Sequence, residues 1–306
     1  MTHDCVPRFT TNHIVKFADD TMVVGLIRDD NDRDYRKEVE QLVGCCRDNR
    51  LILNAEKTKE MIIDLRKNRP CHAPLLINSS AVEVISSTRF RWVHITDNLT
   101  WSMNTTSLVK RAQKQLYFLR RMRRARLPPP ILKTFYRSTI ESILTSCLSV
   151  WCGGCSASDW KNVRRVVRTA EGIIRAPLPS IKDISSQRCV SQACNIISDP
   201  SHSHHGLFSL LPSGKRFHSI RCRSTRLCNS FVPTAIRLLN CLNFKLDSAS
   251  HQHHYLALPT LPDFYNPFKW YTTERLLYFC TISFCTVPNF FIQTPFCTII
   301  FVHKHG

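Results

Sequence analysis

The chain has 306 residues, 42 Lys and Arg against 23 acids, a formal net charge of +19 and 43% hydrophobic residues. That apolar content excludes a wholly disordered tail, and the length allows two or three modest domains. The cationic excess points to a polyanion, RNA or DNA before an anionic membrane surface, and the start Met1-Thr2-His3-Asp4 lacks the basic and apolar regions of a secretory signal, so an intracellular (nuclear or cytoplasmic) location is expected.

Residues 13–65 read as strand, turn, strand, helix and strand. The apolar runs His13-Ile14-Val15-Lys16 and Met22-Val23-Val24-Gly25-Leu26-Ile27 flank Phe17-Ala18-Asp19-Asp20. Strand alternation sends Asp19 and Asp20 to opposite faces at the tip of a hairpin, and hard carboxylate oxygens suit Mg²⁺. The bland alternative is a solvated Asp-Asp turn. A helix is predicted from about Asp32 to Asn49, with Tyr35, Val39, Leu42, Val43 and Cys46 inward. Next, Leu51-Ile52-Leu53-Asn54-Ala55-Glu56-Lys57-Thr58-Lys59-Glu60-Met61-Ile62-Ile63 reads as a turn with an exposed Lys57 leading into an apolar strand. Residues 66–100, with Pro70 and Pro74 and short alternating runs, read as hairpin-rich.

From Thr105 to Arg126 the pattern is one helix, with Leu108, Ala112, Leu116, Leu119 and Met122 on one face. The other face carries Lys110, Arg111, Lys114, Arg120, Arg121, Arg123, Arg124 and Arg126, with no acid between them. Like charges at helical spacing repel, and a phosphate backbone alongside relieves the repulsion and releases counterions. The bland alternative is a solvated face. Pro128-Pro129-Pro130 stops the helix. A second helix is predicted from about Ile131 to Trp151, and a third from a Ser158-Asp159 cap to about Arg175. The third turns Lys161, Arg164, Arg165 and Arg168 outward. A fourth is predicted from Ile181 to Ser198.

Fifteen cysteines without a secretory signal are expected to be mostly reduced and packed as small apolar residues. Cys152-Gly153-Gly154-Cys155 has redox spacing, and Cys189, Cys194, His202 and His204 make a loose zinc-like set, but neither matches a strong template. The histidines at 202–205 and 251–254 read as solvent-exposed. Leu276–Val302 carries no charge, yet Pro288, Asn289, Gln293 and Pro295 interrupt it. A read-through tail without selected structure is expected there, rather than a membrane anchor.

Phe17-Ala18-Asp19-Asp20-Thr21 followed by Leu53-Asn54-Ala55-Glu56-Lys57-Thr58 resembles the palm motifs of reverse transcriptases from non-LTR (LINE-type) retrotransposons. The resemblance implies an RNA-directed DNA polymerase ancestry, catalytic roles for Asp19, Asp20 and Lys57, and Mg²⁺ on Asp19 and Asp20. The palm of that family takes a further carboxylate from an earlier strand, and Asp4 is the sole acid ahead of Asp19. Polymerase activity from this chain alone is therefore not expected. Relatives place Phe-Leu-Gly near the primer end where this chain has Phe90-Arg91-Trp92, which predicts a poorer hairpin turn.

Residues 101–240 are similar to the region that comes after the polymerase in those elements. The similarity rests on Leu116-Tyr117-Phe118-Leu119-Arg120-Arg121, Thr134-Phe135-Tyr136-Arg137-Ser138-Thr139-Ile140-Glu141-Ser142 and Leu210-Leu211-Pro212-Ser213-Gly214-Lys215-Arg216, among others. The block also resembles the N-terminal domain of the eighth AlkB homologue, an alkylation-repair protein. That resemblance implies 2-oxoglutarate-dependent dioxygenase and methyltransferase activities for the parent protein. Neither chemistry has its residues here: no His-x-Asp occurs, and no Gly-rich turn opens a helix. The resulting expectation is an α+β chain: a partial palm over 1–100, a basic helical module over 101–245 and a low-order tail over 246–306. A catalytically inactive remnant that binds nucleic acid, or a pseudogene product with no function, is the expected role.

Overall fold

Alternation of apolar and polar residues gives two antiparallel strands, β1 (Asn12–Phe17) and β2 (Asp20–Ile27), with Phe17 opposite Asp20 and Asn12 opposite Gly25. The computed structural model describes residues 6–17, 20–66, 68, 70–90, 93–242 and 296–305, and the fold is α+β. The chain divides into two compact units, residues 1–104 with 287–306, and residues 105–286.

In the first unit, α1 (Arg33–Asp48) buries Tyr35, Val39, Leu42 and Cys46, as the helical spacing predicts, and also Glu38. The Glu38 carboxylate accepts from the backbone N–H groups of Arg8 and Phe9 and from Asn12 Nδ2, at 3.1–3.2 Å. Those bonds satisfy a charge that would otherwise be costly to bury. After α1 come β3 (Ile52–Leu53) and β4 (Lys59–Asp64), and then the small hairpin β5 (Leu76–Ile77) and β6 (Ser80–Ala81). β7 (Glu83–Val84) pairs parallel to β4. β8 (Ser87–Phe90) and β9 (Val93–Thr96) pair with Phe90 opposite Val93, so this hairpin forms although no Gly stands between them. Arg91 and Trp92 lie outside the described residues.

The strand that joins these pieces comes from the far end of the sequence. β10 (Phe296–His305) lies between β2 and β4, antiparallel to both, and gives the order β1-β2-β10-β4-β7, with β3 pairing the end of β10. The low-order tail expected over 246–306 is thus corrected for its last stretch; residues 243–295 lie outside the described residues. Cys297-Thr298-Ile299-Ile300-Phe301-Val302 is a continuous β-branched and apolar run, which is what a strand covered on both faces requires. Ile299 and Ile300 point to opposite faces and both are fully buried.

One face of the sheet packs on α1. Val23, Ile27 and Ile300 meet Tyr35, Val39 and Leu42 there, together with Leu75, Ile77 and Val82. Gly25 lies under the Tyr35 ring, where an added Cβ would come within 2.4 Å of Tyr35 Cδ2, so no larger residue fits. The Tyr35 hydroxyl donates to Glu60 Oε1 at 3.1 Å, and burial pushes the Glu60 carboxyl above its usual range, partly opposed by that bond and by Arg36.

The second unit is helical. α2 (Ser102–Arg124) is followed by α3 (Pro129–Phe135), a π-helical turn (Tyr136–Glu141) and α4 (Ser142–Leu144). The single helix predicted over 131–151 is corrected here. The Thr139 hydroxyl donates to the Phe135 carbonyl and the Ser142 hydroxyl to the Ser138 carbonyl, which widens the turn, and Cys147 adopts a left-handed φ of 49°. Arg188 compensates the break by donating to the Thr145 carbonyl at 2.7 Å and to its hydroxyl at 3.0 Å.

After the break come α5 (Leu148–Trp151), a short 3₁₀ turn (Cys152–Gly154), α6 (Ala157–Ile174) and α7 (Ile181–Ser198), the last with the predicted bounds. α8 (Thr225–Cys228) and α9 (Phe231–Cys241) complete the unit. α9 packs Val232, Ala235, Ile236 and Leu239 against Ala193 and Ile196 of α7 and against Phe208 and Phe217. Asn240 copies a strand pairing on Phe217, accepting from its N–H at 2.8 Å and donating to its carbonyl at 3.1 Å.

Ile300→Ala is expected to lower stability by about 2–5 kcal/mol through the cavity it leaves. Leu76→Ala, at a site 57% exposed, is expected to change it by no more than about 0.5 kcal/mol. Urea midpoints followed by a probe in the first unit check both. The raised Glu60 pKa gives a second prediction. The folded state holds this proton more tightly than the unfolded one, which titrates near 4.5, so stability from this group falls as pH rises above that value. Glu60→Gln is expected to be more stable than the parent at pH 8, with the difference shrinking toward pH 4, in paired denaturation curves.

Candidate nucleic-acid interface

α2 divides into two faces. Leu108, Val109, Ala112, Leu116 and Leu119 are buried. Lys110, Lys114, Arg120, Arg121, Arg124 and Arg126 are exposed, and Arg111 and Arg123 are partly exposed. No acid occurs between Asp97 and Glu141, and none of these cations forms an ion pair among the described residues. Each like-charge pair at i,i+3 or i,i+4 destabilises the helix by about 0.2–0.5 kcal/mol. One buried Leu contributes about 1.5–3 kcal/mol. The apolar face therefore holds a helix whose cationic face alone would not stay folded. Arg126 comes after the last turn in a left-handed conformation, φ 60°, with its N–H on the Arg123 carbonyl.

α6 repeats the design. Val163, Val166, Val167, Ala170 and Ile174 are buried, while Lys161, Arg164, Arg165 and Arg168 stand exposed at i, i+3, i+4 and i+7, one stripe of the helix. The cap expected at Ser158 is corrected to Ser156. The Ser156 hydroxyl accepts from the Asp159 N–H at 3.1 Å and the Asp159 carboxylate accepts from the Ser156 N–H at 3.1 Å, a capping box. Asp159 is buried and its other oxygen accepts from the Thr105 hydroxyl at 2.7 Å. One carboxylate thus links the start of α6 to the start of α2. No sequence pattern marked that pair, 54 residues apart.

The residues expected to be catalytic fall in the first unit. Asp19 lies outside the described residues, and Asp20 is the first residue of β2, its side chain outside the description. Lys57 is exposed in the turn before β4. Asn54 shapes that turn, its Oδ1 accepting from the Lys57 N–H at 3.0 Å and its carbonyl from the Thr58 N–H and hydroxyl. Lys59 pairs with Phe301 and Asp20 with His303 across β10, so the Lys57 turn and Asp20 share one end of the sheet with β10 between them.

Among the described residues no three His, Cys, Asp or Glu side chains come together as a metal site. Cys152 and Cys155 are free, and burial pushes both thiols up. Cys152 Sγ accepts from the Ser185 hydroxyl, and Gly153 sits where a Cβ would meet the Asn229 carbonyl oxygen at 1.9 Å. That close approach explains the glycine without redox chemistry. Cys189 is pushed up to about 12 by burial, while Cys45 stands in a disulfide. No helix among the described residues is long and apolar enough to cross a membrane.

A family model described as "Alkylated DNA repair protein alkB homolog 8, N-terminal" matches residues 101–142. The match spans the basic helix α2, then α3 and the π-helical turn. The matched segment contains no His, and Glu141 is its one acid, so it cannot supply the two His and one carboxylate of an iron dioxygenase. No curated protein and no solved structure matches the chain.

Asp159→Ala is expected to lower stability by about 1–2 kcal/mol, from the lost cap and the lost hydrogen bond to the Thr105 hydroxyl. A lower urea midpoint at unchanged slope checks it.

Proposed function

We propose that this chain is a remnant of a non-LTR reverse transcriptase that has kept nucleic-acid binding and not polymerisation. The observation that carries the binding reading is the pair of cationic faces, Lys110–Arg126 and Lys161–Arg168, without ion pairs among the described residues. Cations held on folded helices without acidic partners neutralise phosphates at no cost in broken ion pairs, and each contact releases a counterion. The ancestry rests on Asp19-Asp20 and Lys57 in order, with the helix α1 in the spacer between them. The AlkB-type dioxygenase and methyltransferase activities have no residues to support them in the matched segment.

Filter binding of the purified chain to labelled RNA and DNA over a salt series tests the reading. Affinity is expected to fall steeply with salt, and Arg120→Gln with Arg124→Gln is expected to reduce the log–log slope by about two. Binding that ignores both salt and these substitutions would refute it. In the same preparations primer extension with Mg²⁺ is expected to stay at background; extension lost in Asp19→Ala would restore the polymerase.

A further inference from the structure

The cationic face of α2 is not uniformly charged. Tyr117 and Phe118 sit inside it, one turn after Lys114 and one turn before Arg121 and Met122, and they are 52% and 51% exposed. Large aromatic side chains gain by burial, so two adjacent half-exposed rings leave apolar area that a ligand on this face can cover. Their arrangement is fixed. The rings meet edge to face with centroids 5.4 Å apart and planes at 80°. Arg121 donates to the Tyr117 hydroxyl at 3.0 Å and its guanidinium lies 5.8 Å from the Tyr117 ring centre. Four residues on, about 6 Å along the helix, an open groove of about 390 Å³ begins, lined by Met122, Pro130, Ile131, Thr134, Phe135 and Ser138.

We infer that Tyr117 and Phe118 are a stacking platform for unpaired bases, so that α2 takes single-stranded rather than duplex nucleic acid, with the apolar groove beside Met122 receiving a further base. The inference rests on the binding reading above and specifies its ligand. Charge complementarity chooses the occupant: the apolar rings are bracketed by Lys114, Arg120, Arg121 and Arg124, and no acid lies nearby in sequence. A protein partner would meet two isolated rings within a field of cations. A single strand offers phosphates to the cations and a π-face from every base to the rings. A duplex keeps its bases paired and stacked, and it offers only its phosphates. The edge-to-face pair and the Arg121 guanidinium over Tyr117 together make one half-exposed aromatic surface against which a base can stack.

The test compares the full-length chain with Tyr117→Ala/Phe118→Ala and Tyr117→Leu/Phe118→Leu, on oligouridine, oligothymidine and a duplex of matched length, each over a salt series. Both positions are exposed, and circular dichroism confirms that the variants fold. The alanine variant is expected to lose about tenfold or more for the single strands, with the salt slope and the duplex affinity unchanged. The leucine variant, apolar without a π-face, is expected to recover little of that loss. Unchanged single-strand affinity in the alanine variant, with salt-dependent binding intact, overturns the stacking platform and leaves the charge-based reading standing. Equal loss on single strands and duplex also overturns it. A parent chain that binds neither ligand removes both proposals together.

Discussion

The architecture of the first unit depends on one act of strand pairing, that of β10 with β2 on one side and β4 on the other. Adjacent strands lie about 4.8 Å apart. With β10 removed, β2 and β4 would face each other across roughly twice that distance, and neither could satisfy its backbone groups on the other. Two apolar strands would then present open edges, which proteins ordinarily avoid. Closing the long loop between β4 and β10 has an entropic cost of several kcal/mol, but it grows only with the logarithm of loop length. Fully burying Ile299 and Ile300, with their ladder hydrogen bonds, offsets that loss at about 1.5–3 kcal/mol for each side chain.

The second unit solves a different problem, how to hold many cations on ordered helices. It does so by separating tasks. Apolar stripes on α2 and α6 supply the stability, and the opposite faces are left to carry charge without internal neutralisation. The Asp159 carboxylate spends its charge on a cap and a hydroxyl instead of on a guanidinium. Arg188, by contrast, is drawn inward to mend the backbone where the helix breaks at Thr145. The division between structural and free cations depends on which carbonyls and acids are within reach.

Much of this was legible in the sequence where short-range periodicity governs. The inward stripe of α1, the β1–β2 hairpin, the bounds of α7 and both basic faces come from spacing alone. Glu38 was missed because a buried acid looks like a surface residue until its three donors, from residues 8–12, are known. The break at residues 145–147 was missed because no proline or glycine marks it, and the compensating arginine is 43 residues away. The cap was misplaced by two residues because Ser156 and Ser158 are equally plausible on composition. β10 is the least legible element. A run of β-branched and aromatic residues after a long unpatterned stretch looks like unselected sequence, and its meaning lies in two edges more than 200 residues earlier.

Protein synthesis is directional, and that gives the position of β10 a temporal consequence. When β4 has left the ribosome, residues 65–295 must still be translated before the strand that belongs beside it exists. At about 5–20 residues per second that is an interval of roughly ten seconds or more. The helices of the second unit, built from neighbouring segments, can form in a small fraction of that time. Throughout the wait, Met22-Val23-Val24 and Met61-Ile62-Ile63 present bare strand edges on a nascent chain. Until β10 arrives those edges stay open to pairing with any other strand they meet.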